Sequence, residues 1–147
     1  MKNKIANATP LTVDGIRFRS KLEAYCYDKL KSAGLTFKYE EERFVIVPGF
    51  NYENTSVEVV KKGGQKIFDE AYPYVRPISY TPDFTNLEEG WIIECKGFPN
   101  DSFPVRWKLF KKYIVDNGFN YNLYVPRNRK QVDTTINLIL ENKNGPI

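Results

Sequence analysis

The sequence contains no histidine. This absence excludes Ser-His-Asp and Cys-His hydrolases, zinc sites with histidine ligands, and nucleases whose general base is a histidine. Any chemistry must therefore come from carboxylates, lysine and bound cations.

Cysteines are scarce, and long apolar runs are missing. The two cysteines, Cys26 and Cys95, form no Cys-x-x-Cys motif and indicate no disulfide framework. No stretch of about 18 apolar residues is present, and the first ten residues, MKNKIANATP, lack the apolar run of a signal peptide. We therefore expect a protein of the cell interior with no membrane partner.

Charge of one sign is not dominant, but it is distributed unevenly. The chain of 147 residues has a net charge of +4. Residues 1–43 carry +3, residues 44–102 carry −4, and residues 103–147 carry +5. An acidic middle between basic ends is typical of a metal site between phosphate-binding surfaces, and equally of ordinary solvated charge.

The order of apolar patterns predicts a single mixed α/β domain. Ser20 begins a helix that Gly34 ends, and further helices are predicted over 103–117, opened by Ser102, and over 130–141. Strands are predicted over 35–47, 79–84, 91–95 and 121–125. Residues 48–78 contain several glycines and prolines and are predicted to form an insertion with a hairpin at Gly63-Gly64. The core is then residues 12–47 and 79–142.

Two carboxylates and a lysine lie where two neighbouring strands would meet. Asp83 follows Pro82, and Glu94 and Lys96 come after ten intervening residues, on the same face of the next strand. Two carboxylates that share a partly buried site are costly unless a cation lies between them. Oxygen ligands of this kind suit Mg²⁺ or Mn²⁺, and Lys96 could orient the attacking water.

Each of these residues also has a structural interpretation. An aspartate after proline is common in turns, and a glutamate and a lysine two residues apart on a strand usually form a weak surface ion pair. Glu23 lies three residues after Ser20, which is the spacing of a capping box without any function.

The motifs resemble those of a known nuclease superfamily. Pro82-Asp83, ten residues, and Glu94-Cys95-Lys96 are similar to the PD-(D/E)XK signature. The wider sequence resembles the phage endonuclease I type of Holliday-junction resolvase, in the segments Phe18-Arg19-Ser20-Lys21-Leu22-Glu23, Phe37-Lys-Tyr-Glu-Glu, Tyr80-Thr-Pro-Asp-Phe and Glu94-Cys-Lys-Gly97. The similarity covers about residues 17–47 and 79–97.

This resemblance implies a fold and a set of functional residues. The fold would be a restriction-endonuclease-like αβββαβ core, with a mixed sheet flanked by helices and a β-hairpin-like insertion. Asp83 and Glu94 would be the metal-binding acids, Lys96 the catalytic lysine, and Glu23 the acid that completes the cluster. The backbone carbonyl of Cys95 would be a further metal ligand.

The implied activity is that of an Mg²⁺- or Mn²⁺-dependent DNA endonuclease, selective for branched or junction DNA, in the cytoplasm of a bacterium or a phage-infected cell. The connection before Thr81-Pro82-Asp83 is about thirty residues longer than in the endonuclease I type. The interlocked homodimer of that type and the four-way junction as substrate therefore stay open. A second interpretation is a DNA-binding protein with weak or lost catalysis. A third is the nuclease subunit of a transposition or recombination complex.

Basic residues follow the candidate site along the chain. They are candidates for contact with DNA phosphates: Arg19 and Lys21 near the first helix, Arg106, Lys108, Lys111 and Lys112 on the second helix, and Arg127 and Arg129 after the last strand. The spacing of the three lysines places them on one helical face. A solvated helix face would show the same pattern.

Overall fold

The computed structural model describes residues 10–98, 100 and 102–144. The chain divides into two compact units. The larger unit comprises Met1–Arg43 and Thr81–Ile147, and the smaller unit is Phe44–Tyr80. The insertion predicted over 48–78 lies within the smaller unit, which begins a few residues earlier.

The described residues form twelve short strands and three helices. In chain order they are β1 (Leu11–Val13), β2 (Ile16–Phe18), α1 (Lys21–Ser32), β3 (Lys38–Tyr39), β4 (Phe44–Val47), β5 (Phe50–Asn51), β6 (Val57–Lys62), β7 (Gln65–Glu70), β8 (Tyr74–Val75), β9 (Ile78–Tyr80), β10 (Phe84–Asn86), β11 (Trp91–Ile93), α2 (Phe103–Asp116), β12 (Asn122–Tyr124) and α3 (Arg129–Asn144). The predicted mixed α/β class is confirmed.

The larger unit contains a four-stranded mixed sheet in the order β12-β11-β10-β3. The pairs β3–β10 and β10–β11 are antiparallel, whereas β11 and β12 are parallel. A parallel pair needs a crossover connection, and α2 lies in that connection. The sheet therefore brings the end of β11 beside the start of β10, where the two predicted carboxylates lie.

The core of the larger unit packs helices α1 and α3 against one face of this sheet. Phe18, Leu30, Phe84, Ile93 and Val132 are all fully buried in it. Side chains alternate along a strand, so every second residue of β11 faces these helices. This alternation fixes the direction in which the residues after β11 point.

The helix ends are mostly as predicted, with one correction. The Ser20 hydroxyl caps α1, and Gly118, at φ 69°, follows α2. Ser102 makes no capping bond from its side chain. Instead Asn100 Oδ1 accepts a hydrogen bond of 2.9 Å from the Phe103 N–H, because an asparagine side chain reaches the first free amides as well as a serine does.

The smaller unit is a two-stranded antiparallel ribbon. Its strands pair in three successive steps, β4 with β9, β5 with β8, and β6 with β7. Gly63 and Gly64 connect β6 to β7 at φ 58° and 80°, which is the conformation a tight hairpin turn requires. The hairpin predicted at this dipeptide is confirmed.

Two predicted strands are wrong in their extent. The strand predicted over 35–47 is two strands, β3 and β4, because Glu40 between them adopts a left-handed conformation with φ 55°. The strand predicted over 79–84 is likewise divided, into β9 and β10, with Pro82 between them. Both interruptions fall at the borders of the smaller unit, which hydrophobic alternation alone does not mark.

In the described part of the chain, none of the helices combines the length and the apolar character needed to cross a membrane.

Candidate metal centre

Helix α1 positions Glu23 in the interior. The side chain is only 7% exposed, and its Oε1 accepts a hydrogen bond of 2.6 Å from the Tyr39 hydroxyl of β3. Burial raises the pKa of the Glu23 carboxyl, while the Tyr39 hydrogen bond and the nearby Arg19 charge act in the opposite direction. Glu23 therefore occupies an environment in which a negative charge needs further compensation.

The cap and the carboxylate of this helix turn have separate partners. Ser20 Oγ accepts a hydrogen bond of 3.1 Å from the Glu23 backbone N–H, which is one half of a capping box. The other half would turn the Glu23 carboxylate back to the Ser20 amide, but the carboxylate accepts the Tyr39 hydroxyl and interacts with the Arg19 backbone amide instead. The capping interpretation thus accounts for the backbone of Glu23 and not for its acid group.

Glu40 is a fourth acid at this site, in addition to the predicted Glu23, Asp83 and Glu94. Its left-handed backbone follows β3, and its N–H donates a hydrogen bond of 2.8 Å to the Asp83 carbonyl. The carboxylate pairs with the Arg19 guanidinium. One carboxylate oxygen from each of Glu23, Glu40 and Asp83 lies within 4.8 Å of the others.

Asp83 is the most deeply buried acid of the cluster, at 3% exposed. Its Oδ2 accepts a hydrogen bond of 2.8 Å from the Cys95 backbone N–H across the sheet. Burial raises the pKa of Asp83 well above its ordinary value, and the charges of Glu94 and then Glu23 raise it further. Asp83 is therefore destabilised in its ionised form by the negative charges of both neighbouring acids.

Glu94 and Lys96 continue the line of β11. The Glu94 N–H donates a hydrogen bond of 2.9 Å to the Tyr124 carbonyl, and the Lys96 N–H donates one of 3.1 Å to the Pro126 carbonyl. Glu94 is 7% exposed, and its Oε2 lies 3.7 Å from Lys96 Nζ. Both side chains thus project on the same side, away from the core that contains Cys95.

Cys95 lies between these two residues and has a different environment. Its thiol is buried in the core, where a hydrogen bond with the Cys26 thiol raises its pKa well above the ordinary value, and burial adds to the effect. Its N–H is taken by Asp83. The metal-ligand role of the Cys95 carbonyl stays a prediction.

Among the described residues, this site has more carboxylates than cations paired with them. Arg19 pairs with Glu40, and Lys96 pairs with Glu94. Among the described residues no lysine or arginine lies within ion-pair distance of Glu23 or Asp83. Glu23, Glu40 and Asp83 therefore form a carboxylate cluster that could hold a metal ion, and their hard oxygen donors fit a divalent cation such as Mg²⁺ or Mn²⁺.

The predicted phosphate-binding residues lie in several places. Arg19 is at the acid cluster, and Arg129 packs over the ring of Tyr25, 4.9 Å from its centroid. Arg127 donates a hydrogen bond of 3.4 Å to the Gly97 carbonyl, directly after Lys96. The other five predicted residues are exposed on helices: Lys21 at the start of α1, and Arg106, Lys108, Lys111 and Lys112 on α2.

Metal binding at this cluster predicts a change in thermal stability. At a Mn²⁺ concentration about 100 times Kd, binding adds about 2.7 kcal/mol, which raises Tm by roughly 5–10 °C. Asp83→Asn should abolish this shift. Without metal, the variant should melt at or above the wild-type temperature, because it keeps an acceptor for the Cys95 amide and loses a buried charge.

The metal-free difference should grow as pH rises from 5 to 8. A raised pKa means that folding costs more once Asp83 is ionised, and the asparagine variant does not ionise. Differential scanning fluorimetry with and without Mn²⁺ measures both effects, with Asp116→Asn on α2 as the exposed control. An equal Mn²⁺ shift in Asp83→Asn would place the metal elsewhere.

Comparison with known proteins gives one family match. The model of a family described as a protein of unknown function (DUF1064) matches residues 3–123, which include every residue of the acid cluster and Lys96. No curated protein and no solved structure matches the chain.

Proposed function

The chain belongs to the DUF1064 family of proteins of unknown function, and we propose that it is a metal-dependent DNA endonuclease. The reaction is hydrolysis of a phosphodiester bond, and the proposed substrate is branched or junction DNA. The acid cluster (Glu23, Glu40 and Asp83), Glu94 and Lys96 form the catalytic site.

The order of the elements supports this proposal. Within the larger unit, α1, β3, β10, β11, α2 and β12 follow β1 and β2 and precede α3. Their four strands form one sheet, with three antiparallel strands and a fourth strand parallel to the third. This order is compatible with the αβββαβ core that the PD-(D/E)XK resemblance implies. The acids lie on α1 and where β10 begins and β11 ends, the positions that the same resemblance assigns to the metal ligands.

One observation carries the proposal: acids from separate parts of the chain converge in a largely buried site without enough positive charge. Glu23, Asp83 and Glu94 are each at most 7% exposed. The Cys95 amide satisfies one oxygen of Asp83, but among the described residues only two cations, Arg19 and Lys96, pair with the four acids of the site. A bound divalent cation would supply the missing positive charge, and a metal-binding function would explain why these carboxylates are buried despite the energetic cost.

The side chains have distinct tasks in this reaction. Glu23, Glu40 and Asp83 would hold the cation, and the resemblance adds Glu94 as a further ligand. When bound, a divalent cation lowers the pKa of water and neutralises charge on the phosphate. Lys96 Nζ is held beside Glu94 and can donate to the attacking water or to a phosphate oxygen. Arg19 can pair with the phosphate from the Glu40 side.

The lysines of α2 are proposed to bind the DNA backbone. Each phosphate contact on duplex DNA contributes about 0.9 to the slope of log K against log salt. Replacing Lys108, Lys111 and Lys112 with alanine should flatten the slope by about two to three units, with Lys112 contributing least because it pairs with Asp116 at 2.9 Å.

Fluorescence anisotropy on one labelled duplex at several salt concentrations measures this slope. Cleavage at saturating DNA should change little, because the acid cluster is untouched. The matched control replaces three exposed lysines of the larger unit, Lys29, Lys31 and Lys38. An unchanged slope in the α2 variant would assign its lysines to ordinary solvated surface.

A panel of DNA substrates tests the activity. The purified protein is incubated in Mg²⁺ with a four-way junction, a flap, a plain duplex and a single strand, each labelled at one end. We expect cleavage of the branched substrates above the duplex. Binding to these substrates without cleavage in Mg²⁺ or Mn²⁺ would instead favour the DNA-binding interpretation, and cleavage only with an added partner would favour a subunit of a recombination complex.

A further inference from the structure

One face of the β6–β7 ribbon is apolar in the middle and charged at both ends. In an antiparallel pair, directly opposed residues project from the same side. The face contains three such pairs in register, Val57 with Glu70, Val59 with Phe68, and Lys61 with Lys66. We name it the Val59–Phe68 face after its central pair.

The apolar residues of this face are unusually exposed. Phe68 is 73% exposed, Val59 67% and Val57 48%. Most of the exposed large apolar side chains in the described chain belong to the smaller unit. A two-stranded ribbon with an uncovered apolar face is marginally stable in water, and contiguous exposed apolar surface commonly marks an interaction site.

The charges of the Val59–Phe68 face have no partners within the described residues. Lys61 and Lys66 form one end of the face, Glu70 lies at the other, and none of the three is in an ion pair. The opposite face of the ribbon differs, because there Lys62 pairs with Asp69 at 3.3 Å. The charges of the Val59–Phe68 face are therefore available to pair with a binding partner.

The order of these charges is self-complementary. The central pair lies two residues from the lysine pair and two residues from the Val57–Glu70 pair. If two such faces meet around a two-fold axis at Val59 and Phe68, Glu70 of each copy lies opposite Lys61 and Lys66 of the other. The apolar centres then cover each other.

We propose that the Val59–Phe68 face is an interface between two copies of this chain. The charge balance of the ribbon favours this occupant over DNA. Residues 57–70 contain three lysines and three acids, so the ribbon lacks the net positive charge that phosphate binding requires.

The size of the face sets the strength of this contact. Six residues per strand at about 3.4 Å each give a ribbon about 20 Å long, and two strands make it about 10 Å wide. This area is well below the roughly 800 Å² per partner of a standard interface. The dimer should therefore be weak and reversible, with a dissociation constant of roughly 100 μM or above.

A charge exchange between two variants tests the interface. Glu70→Lys makes both ends of the face positive, and the double variant Lys61→Glu, Lys66→Glu makes both ends negative. Each variant alone should dimerise at least about tenfold more weakly than the wild type, because like charges meet. An equimolar mixture should regain dimers of one copy of each, because opposite charges then meet at both ends.

Sedimentation velocity over a rising protein concentration, without DNA or metal, measures these species. Glu58→Lys is the matched control, since it makes the same charge change on the opposite face of the same ribbon, and Phe68→Ser should also abolish the dimer. Circular dichroism confirms that each variant is folded. Two results would overturn the proposal: a wild type that stays monomeric throughout, or a mixture that dimerises no better than its components. Because no cleavage is measured, failure here leaves the proposed nuclease activity untouched.

Discussion

Asp83→Asn is expected to lower DNA cleavage by roughly a thousandfold or more, because removing one preorganised charge from a catalytic site typically costs a hundredfold to a thousandfold and this acid also holds the cation. The asparagine side chain keeps the shape and an oxygen acceptor for the Cys95 amide. The fold should therefore be intact. Glu94→Gln should have a similar effect, since its charge is the largest electrostatic influence on Asp83 after burial.

DNA binding in the absence of metal separates this loss from a loss of structure. Both variants remove a negative charge from a site that must approach phosphate, so affinity should be retained or should rise. Single-turnover cleavage and anisotropy on the same labelled junction measure the two quantities, with Asp28→Asn on the exposed face of α1 as the control. Activity within tenfold of the wild type in either variant would contradict the metal-site assignment.

Glu23→Gln and Ser20→Ala are expected to have opposite effects, although the two residues meet in one helix turn. Glu23→Gln leaves the backbone N–H that Ser20 Oγ accepts and an oxygen for the Tyr39 hydroxyl. Stability should be preserved while kcat falls by about a hundredfold or more, because only the charge is lost. Ser20→Ala removes the cap and should cost about 0.5–2 kcal/mol of stability with nearly normal turnover.

Thermal melting and kcat measured on both variants give a two-by-two comparison. If Glu23 were only a capping residue, its glutamine variant would turn over normally, because glutamine also fits a capping box. That outcome would leave Asp83 and Glu94 as the only acids of the site supported by activity.

The parts of the fold that depend on residues close together in the sequence were predictable. The Ser20 cap, the turn at Gly63-Gly64 and the end of α2 at Gly118 each follow from local backbone chemistry. The borders of the smaller unit were not predictable in this way. They depend on which strands pair: only the charged residues 40–43 separate β3 from β4 in the sequence, yet the two strands join different sheets.

Glu40 shows why the candidate site was only partly visible. Three consecutive glutamates, Glu40 to Glu42, follow β3, and charge alone does not distinguish a cluster member from solvated neighbours. The left-handed backbone of Glu40 and the pairing of β3 with β10 bring its carboxylate to Asp83. A glutamate run directly after a strand that precedes the Thr81-Pro82-Asp83 segment was the available signal, but it gave no means of choosing among the three.

The most direct test of the central claim is the Mg²⁺ dependence of cleavage by the wild type and by Asp83→Asn, purified in parallel and assayed on one labelled branched DNA. The acid cluster predicts cleavage by the wild type in Mg²⁺, none in EDTA, and none by the variant in either condition. Equal cleavage by both proteins, or no cleavage by the wild type in Mg²⁺ or Mn²⁺, would contradict it.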